Sequence, residues 1–308
     1  MHSARPVLPV TRRLLNLGRA AVLAGLAGLV GSAWAGPALD RIKSRGAMVL
    51  AYQTGAPFAM SLGAGQAPVG YSIDLCKHLA EAVRKALDLK AMRIDYLPVG
   101  SSERLPTIAG GKADIECGST TNNEQRRREV AFTVPHYITG TRFAVRADAA
   151  IETLRDLSGK KVVSTVGSTP LATIKRVNDE GLLGIQVIGV ATFDEAIEMV
   201  EQGKADGFAM DDVLLYALIA ERPKPERLKV VGKFLTIEPL AMILPKDDPE
   251  LKKIVDAEMR RLIHGREAHA LYHRWFEQPI PPKNKPLNIP MNYLLKDFWK
   301  YPNDWVPN

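Results

Sequence analysis

From Met48 onward the chain switches between two hydrophobic periods. Short apolar runs predict strands at 48–53, 92–99, 113–117, 141–146, 161–165, 185–190, 205–210, 228–231 and 240–244. Between them, a 3.6-residue repeat predicts helices at 71–86, 102–109, 168–177, 193–202, 211–220, 249–263 and 266–276. In the first long helix Ile73, Leu75, Leu79, Ala80, Val83 and Leu87 form the apolar face. Strands alternating with helices imply an α/β architecture with largely parallel sheets.

One turn occurs twice. Gly111-Lys112-Ala113-Asp114 and Gly203-Lys204-Ala205-Asp206 each follow a helix and lead into an apolar strand. Each strand then runs into polar residues, Ser119-Thr120-Thr121 in one case and Asp211-Asp212 in the other. The echo suggests two similar lobes, each delivering polar groups at a strand's C-terminal end, where open α/β sheets form their crevices. The last segment differs. Pro279-Ile280-Pro281-Pro282 excludes a regular helix or a central strand. A short helix at 291–300 is expected, anchored by Trp299, Tyr301 and Trp305.

Composition changes the picture mainly at the N-terminus. Residues 1–35 carry Arg5, Arg12, Arg13 and Arg19 without an acid, then the apolar run Ala20–Val30, then Ala33-Trp34-Ala35. This is the pattern of a cleaved export signal. The apolar run is too short to span a bilayer comfortably. Thr11-Arg12-Arg13 loosely resembles a twin-arginine signal, but the export route stays open. Loss of the leader lowers the net charge from +7 to +3, so the basic balance is largely the leader's. No cluster of basic residues interleaved with aromatics points to nucleic acid. Export permits a disulfide between Cys76 and Cys117, and two buried thiols are the alternative.

The candidate chemistry centres on Ser119, Thr121 and Arg126. Hydroxyls just beyond a strand, followed by a guanidinium, can hold a carboxylate. The competing reading is a polar turn capped by Thr121 or Asn122. His269 and His273 have helical i,i+4 spacing, but no third ligand accompanies them, and no metal or cofactor is expected. No nucleophile motif is present either, so an enzyme is not expected.

Several segments together resemble a known family. They are Val69-Gly70-Tyr71-Ser72 with Asp74, Arg104-Leu105-Pro106, Glu116-Cys117-Gly118-Ser119-Thr120-Thr121-Asn122-Asn123, Gly140-Thr141-Arg142, Met210-Asp211-Asp212 and Pro279-Ile280-Pro281-Pro282-Lys283-Asn284. The chain is similar to the extracytoplasmic solute-binding proteins of polar amino-acid ABC transporters, and within them to glutamate/aspartate-binding proteins. The resemblance implies a two-lobed, type II periplasmic-binding-protein fold. Each lobe would be a mostly parallel sheet flanked by helices. Residues 36–140 and 238–308 would form one lobe and 141–237 the other, with two hinge strands near 140–144 and 238–242.

The resemblance also implies roles. Arg126, aided by Ser119 and Thr121, would hold the ligand α-carboxylate. Thr169, at a helix start, would add donors from the other lobe, as helix N-termini suit anions. Asp211 would accept the ammonium, or cap the helix that follows it. Ser101 and Arg104 would contact the ligand side chain. Gln53 and Phe193 stand where acidic-ligand relatives carry arginine and histidine, which leaves glutamine or asparagine as an alternative ligand. A dehydratase on the same fold is a more distant alternative. The implied partners are a free amino acid and an inner-membrane ABC permease. The protein would be a periplasmic monomer.

Overall fold

The computed structural model describes residues 36–306, and the expected leader lies outside them. The first elements are α1 (Pro37–Arg45), β1 (Ala47–Tyr52), α2 (Tyr71–Ala86), β2 (Arg93–Pro98), α3 (Arg104–Ala109) and β3 (Ile115–Thr121). β1 lies between β2 and β3 and is parallel to both. α2 packs on this sheet through Ile73, Leu75, Leu79 and Val83, all fully buried. Burying each such side chain contributes roughly 1.5–3 kcal/mol relative to exposure.

α4 (Glu124–Arg127), β4 (Val130–Phe132) and β5 (Tyr137–Thr139) lead to a first crossing at Gly140. The second sheet follows: β6 (Thr141–Arg146), β7 (Lys161–Thr165), α5 (Thr169–Gly181), β8 (Gln186–Val190), α6 (Phe193–Glu201), β9 (Gly207–Asp211), α7 (Asp212–Glu221) and β10 (Leu228–Val231). Its order is β10-β6-β9-β7-β8. The chain then returns through β11 (Glu238–Pro245), which inserts between β3 and β4 and also pairs with β5. The first sheet thus runs β2-β1-β3-β11-β4.

Both sheets are mixed. β7 is parallel to β8 and β9, whereas β6 runs antiparallel to β9 and β10. β11 is antiparallel to all its partners. Helix–strand alternation identifies the parallel units, since a parallel pair needs a crossover helix. It carries no signal for strands that arrive through loops from the other lobe, and these are the antiparallel ones. The crossings lie side by side, with Glu238 opposite Thr139 and Leu240 opposite Tyr137. Only glycine fits at 140, because a Cβ there would sit 2.3 Å from the Thr236 carbonyl oxygen and 2.6 Å from the Phe234 ring.

The repeated turn is a structural repeat. Gly111 and Gly203 both have positive φ, 66° and 70°. Asp114 accepts the Val49 N–H of the neighbouring strand at 2.8 Å, and Asp206 accepts that of Lys161 at 2.9 Å. Each aspartate fixes the parallel register of its own sheet.

Cys76 of α2 and Cys117 of β3 are disulfide-bonded, with Cα atoms 6.1 Å apart. After β11 come α8 (Pro249–His264), α9 (Glu267–Tyr272), the wider helical turn His273–Glu277, the ribbon β12 (Pro279–Ile280) with β13 (Lys285–Pro286), and α10 (Tyr293–Phe298). Of the three expected anchors, only Trp299 is buried, its indole donating to the Pro135 carbonyl. Tyr301 and Trp305 are 82% and 72% exposed, because the segment after α10 is held instead by the buried Pro302 and Val306 and by the pair between Asp304 and Lys252 at 2.9 Å.

Candidate functional site

The site forms where the C-terminal ends of strands meet the N-terminal ends of helices. Gln53 follows β1, Ser101 precedes α3, and Arg104 opens it. Ser119 and Thr121 belong to β3, which runs on through the hydroxyls instead of stopping at Cys117. β11 makes the difference, since it offers Thr120 and Thr121 a ladder partner on their far side. Arg126 lies in α4, whose cap is Asn123: its side chain accepts the Arg126 N–H at 2.9 Å. Neither Thr121 nor Asn122 is the cap. From the second sheet, Thr169 opens α5, Phe193 opens α6 and Asp211 ends β9.

All nine residues line one small pocket, together with Ser168, Pro170, Met210 and Leu214. Arg126 spans it. Its guanidinium donates to the Thr121 carbonyl at 3.1 Å and across the cleft to the Gly167 carbonyl at 2.9 Å. Burial, then the neighbouring Arg104 charge, lowers its pKa to about 10. Arg104 donates to Thr120 Oγ1 at 2.7 Å, and to the carbonyl and hydroxyl of Ser101 at 3.1 and 3.3 Å. Thr120 in turn donates to Glu116 at 2.8 Å. This relay fixes the arginine without a direct ion pair. Burial pulls the Arg104 pKa down and pushes the Glu116 pKa up.

Asp211 occupies the cap position of α7 but makes no side-chain capping bond. Its Oδ1 is buried without a hydrogen-bond partner. Burial, then the nearby acids Glu238 and Asp212, raises its pKa well above the usual carboxylate value. A cation placed against Asp211 relieves both effects. The pocket therefore has a positive side at Arg126 and Arg104 and an unpaired carboxylate oxygen at Asp211.

Sequence reasoning missed Glu238, which is 2% exposed. Thr121 Oγ1 donates to its Oε2 at 2.7 Å, and Thr169 Oγ1 donates to the same oxygen. Both threonines were expected to offer their hydroxyl protons to a ligand carboxylate. A hydroxyl has one proton, so here they face the pocket chiefly as acceptors. The available signal was an acid opening an apolar strand two residues after Thr236.

The remaining candidates lie elsewhere. His273 pairs with Glu277 at 2.9 Å, and His269 packs on Trp299. Among the described residues no group of His, Cys, Asp and Glu could hold a metal ion. A larger cavity of about 530 Å³ lies beside β10, but its Arg222 already pairs with Glu201 at 2.5 Å.

With this geometry established, comparison with known proteins places the chain. The model of the bacterial extracellular solute-binding proteins, family 3, matches residues 48–278. The chain belongs to that family. It is 38% identical over 267 residues to the L-glutamate/L-aspartate-binding protein of Pseudomonas aeruginosa, covering 86% of this chain and 88% of that one. It is 34% identical over 300 residues to the glutamate/aspartate import solute-binding protein of Salmonella typhimurium, covering 97% and 98%. Among solved structures it resembles an ancestral arginine-binding protein bound to arginine, with a TM-score of 0.67 and 25% identity over 75% of this chain and 99% of that one. The protein is thus a solute-binding protein of two α/β lobes. The two curated relatives are named for binding and import, not for turnover, in keeping with a non-enzyme.

Proposed function

We propose that this protein is the periplasmic binding component of an ABC importer and that it holds L-glutamate or L-aspartate between its lobes. The polarity of one pocket carries the reading: guanidinium groups at Arg126 and Arg104, and an unpaired carboxylate oxygen at Asp211. A free amino acid satisfies both. Arg126 takes the α-carboxylate with Ser119 and the Thr169 backbone N–H at the start of α5. Asp211 takes the ammonium, with the lone pair of Thr121 beside it. Arg104 and Ser101 meet the side-chain carboxylate. The names of the relatives support the acidic ligands.

In this reading residues 36–140 and 238–308 form one lobe and 141–237 the other. The amino acid pairs groups from both and shifts the population toward closure, which a membrane permease then recognises. A second reading rests on Gln53 and Phe193, which line the same pocket: an amide donor and an apolar ring suit glutamine or asparagine. Calorimetric titration of the leader-free protein decides the matter. Glutamate or aspartate is expected to bind at least tenfold more tightly than the amides. The reverse order selects the second reading, and heat from none of the four rejects both.

A further inference from the structure

Glu238 opens β11 at the second crossing, and its carboxylate gathers four threonines from four places. Oε1 accepts Thr141 at 2.8 Å and Thr236 at 2.7 Å, one on each crossing segment. Oε2 accepts Thr121 of β3 at 2.7 Å and Thr169 of α5. Thr121 and Thr169 are themselves 2.9 Å apart. Three of these bonds join groups at or beside the hinge. The fourth, from Thr169, joins the second sheet to the first and exists only when the sheets face each other closely.

We propose that Glu238 is a positioning residue that latches the closed state: its carboxylate captures the Thr169 hydroxyl as the lobes meet, and so contributes to amino-acid affinity without touching the ligand. The proposal rests on the reading of the pocket given above. Hydrogen bonds to a charged acceptor are stronger than neutral ones, and a buried carboxylate that loses a donor is left partly unsatisfied. The latch also sets direction. By taking both threonine protons, Glu238 leaves their lone pairs for the pocket.

A double-mutant cycle tests the latch. Glu238→Gln and Thr169→Val are made singly and together, and each protein is titrated with L-glutamate. Each single change is expected to weaken binding by roughly tenfold to a hundredfold. The double variant is expected to bind about as well as the weaker single one, and Thr169→Ser to retain near-parental affinity. Losses that simply multiply mean that Thr169 acts on the ligand alone, and they overturn the latch. Small-angle scattering with L-glutamate at a concentration that saturates the parent gives a second readout. There Glu238→Gln and Thr169→Val are both expected to be more expanded than the parent, whereas an unchanged radius counts against the proposal. If the parent protein binds no amino acid, the ligand reading fails and the closed arrangement belongs to the unliganded protein, so the same scattering comparison without ligand decides the latch. A purely structural Glu238 would lower thermal stability without either coupling or expansion.

Discussion

Arg126 and Asp211 face each other across the pocket, and each is held where a lone charge is costly. Removing the guanidinium in Arg126→Ala leaves a bound carboxylate buried without its partner. The expected loss of amino-acid affinity is about 3–5 kcal/mol, measured by calorimetry. Asp211 gives a pH prediction whose sign follows from burial. Its folded pKa lies above the ordinary 3.8. The native state therefore keeps a proton that the unfolded chain gives up, and this contribution to stability is complete below about pH 3.8. It is lost as the pH rises through the folded value. Unliganded Asp211→Asn is thus expected to be more stable than the parent at neutral pH, with the difference vanishing below about pH 4. Denaturant unfolding across pH measures this. A parent and variant with parallel pH profiles would show that Asp211 is solvated in solution.

At the scale of elements, two joints are testable. Gly167 ends the loop before α5 with φ +84°, and a Cβ there would lie 2.6 Å from Ser102 Cα in the facing lobe. Backbone meets backbone at this point, so Gly167→Ala is expected to weaken ligand binding at least tenfold. The unliganded protein would lose only about 1–2 kcal/mol from the strained φ. The second joint is the disulfide between α2 and β3, which closes a separation of 41 residues. In the chain-entropy model its reduction costs about 4 kcal/mol, measured by unfolding with and without reductant.

Most elements were legible because their signals are local. α2 showed its face through Ile73, Leu75, Leu79 and Val83, and the echoed Gly-Lys-Ala-Asp turn showed the second lobe. What stayed hidden depended on distant partners. β3 extends to Thr121 because β11, more than a hundred residues later, pairs with it. Glu238 read as an ordinary strand-opening acid because its four threonines converge only in the folded chain. The disulfide was left open for the same reason: two cysteines state a possibility, and only the packing of α2 on β3 brings them within reach. Ser119, Thr121 and Arg126 were readable from their own chemistry, hydroxyls and a guanidinium just beyond a strand. The other six pocket residues came from the resemblance to a family, and spacing alone would not have gathered Gln53, Phe193 and Asp211.

For the molecule as a whole, a ligand that binds only the closed native form must raise stability by mass action. At a concentration of a hundred times its dissociation constant, L-glutamate is expected to add about 2.7 kcal/mol to the unfolding free energy. A thermal-shift series checks this, and an equal shift with a deaminated dicarboxylate would separate general anion binding from amino-acid recognition. The cystine bridge has a further consequence at this scale. It bolts the strand bearing Ser119 and Thr121 to the long helix α2 behind it, so that side of the pocket travels as one piece. Capture then changes distances between the two bodies and leaves those inside this one alone. A donor–acceptor fluorophore pair on α2 and α6 is expected to report the excursion, while a pair on α2 and α8, which pack together, stays almost silent.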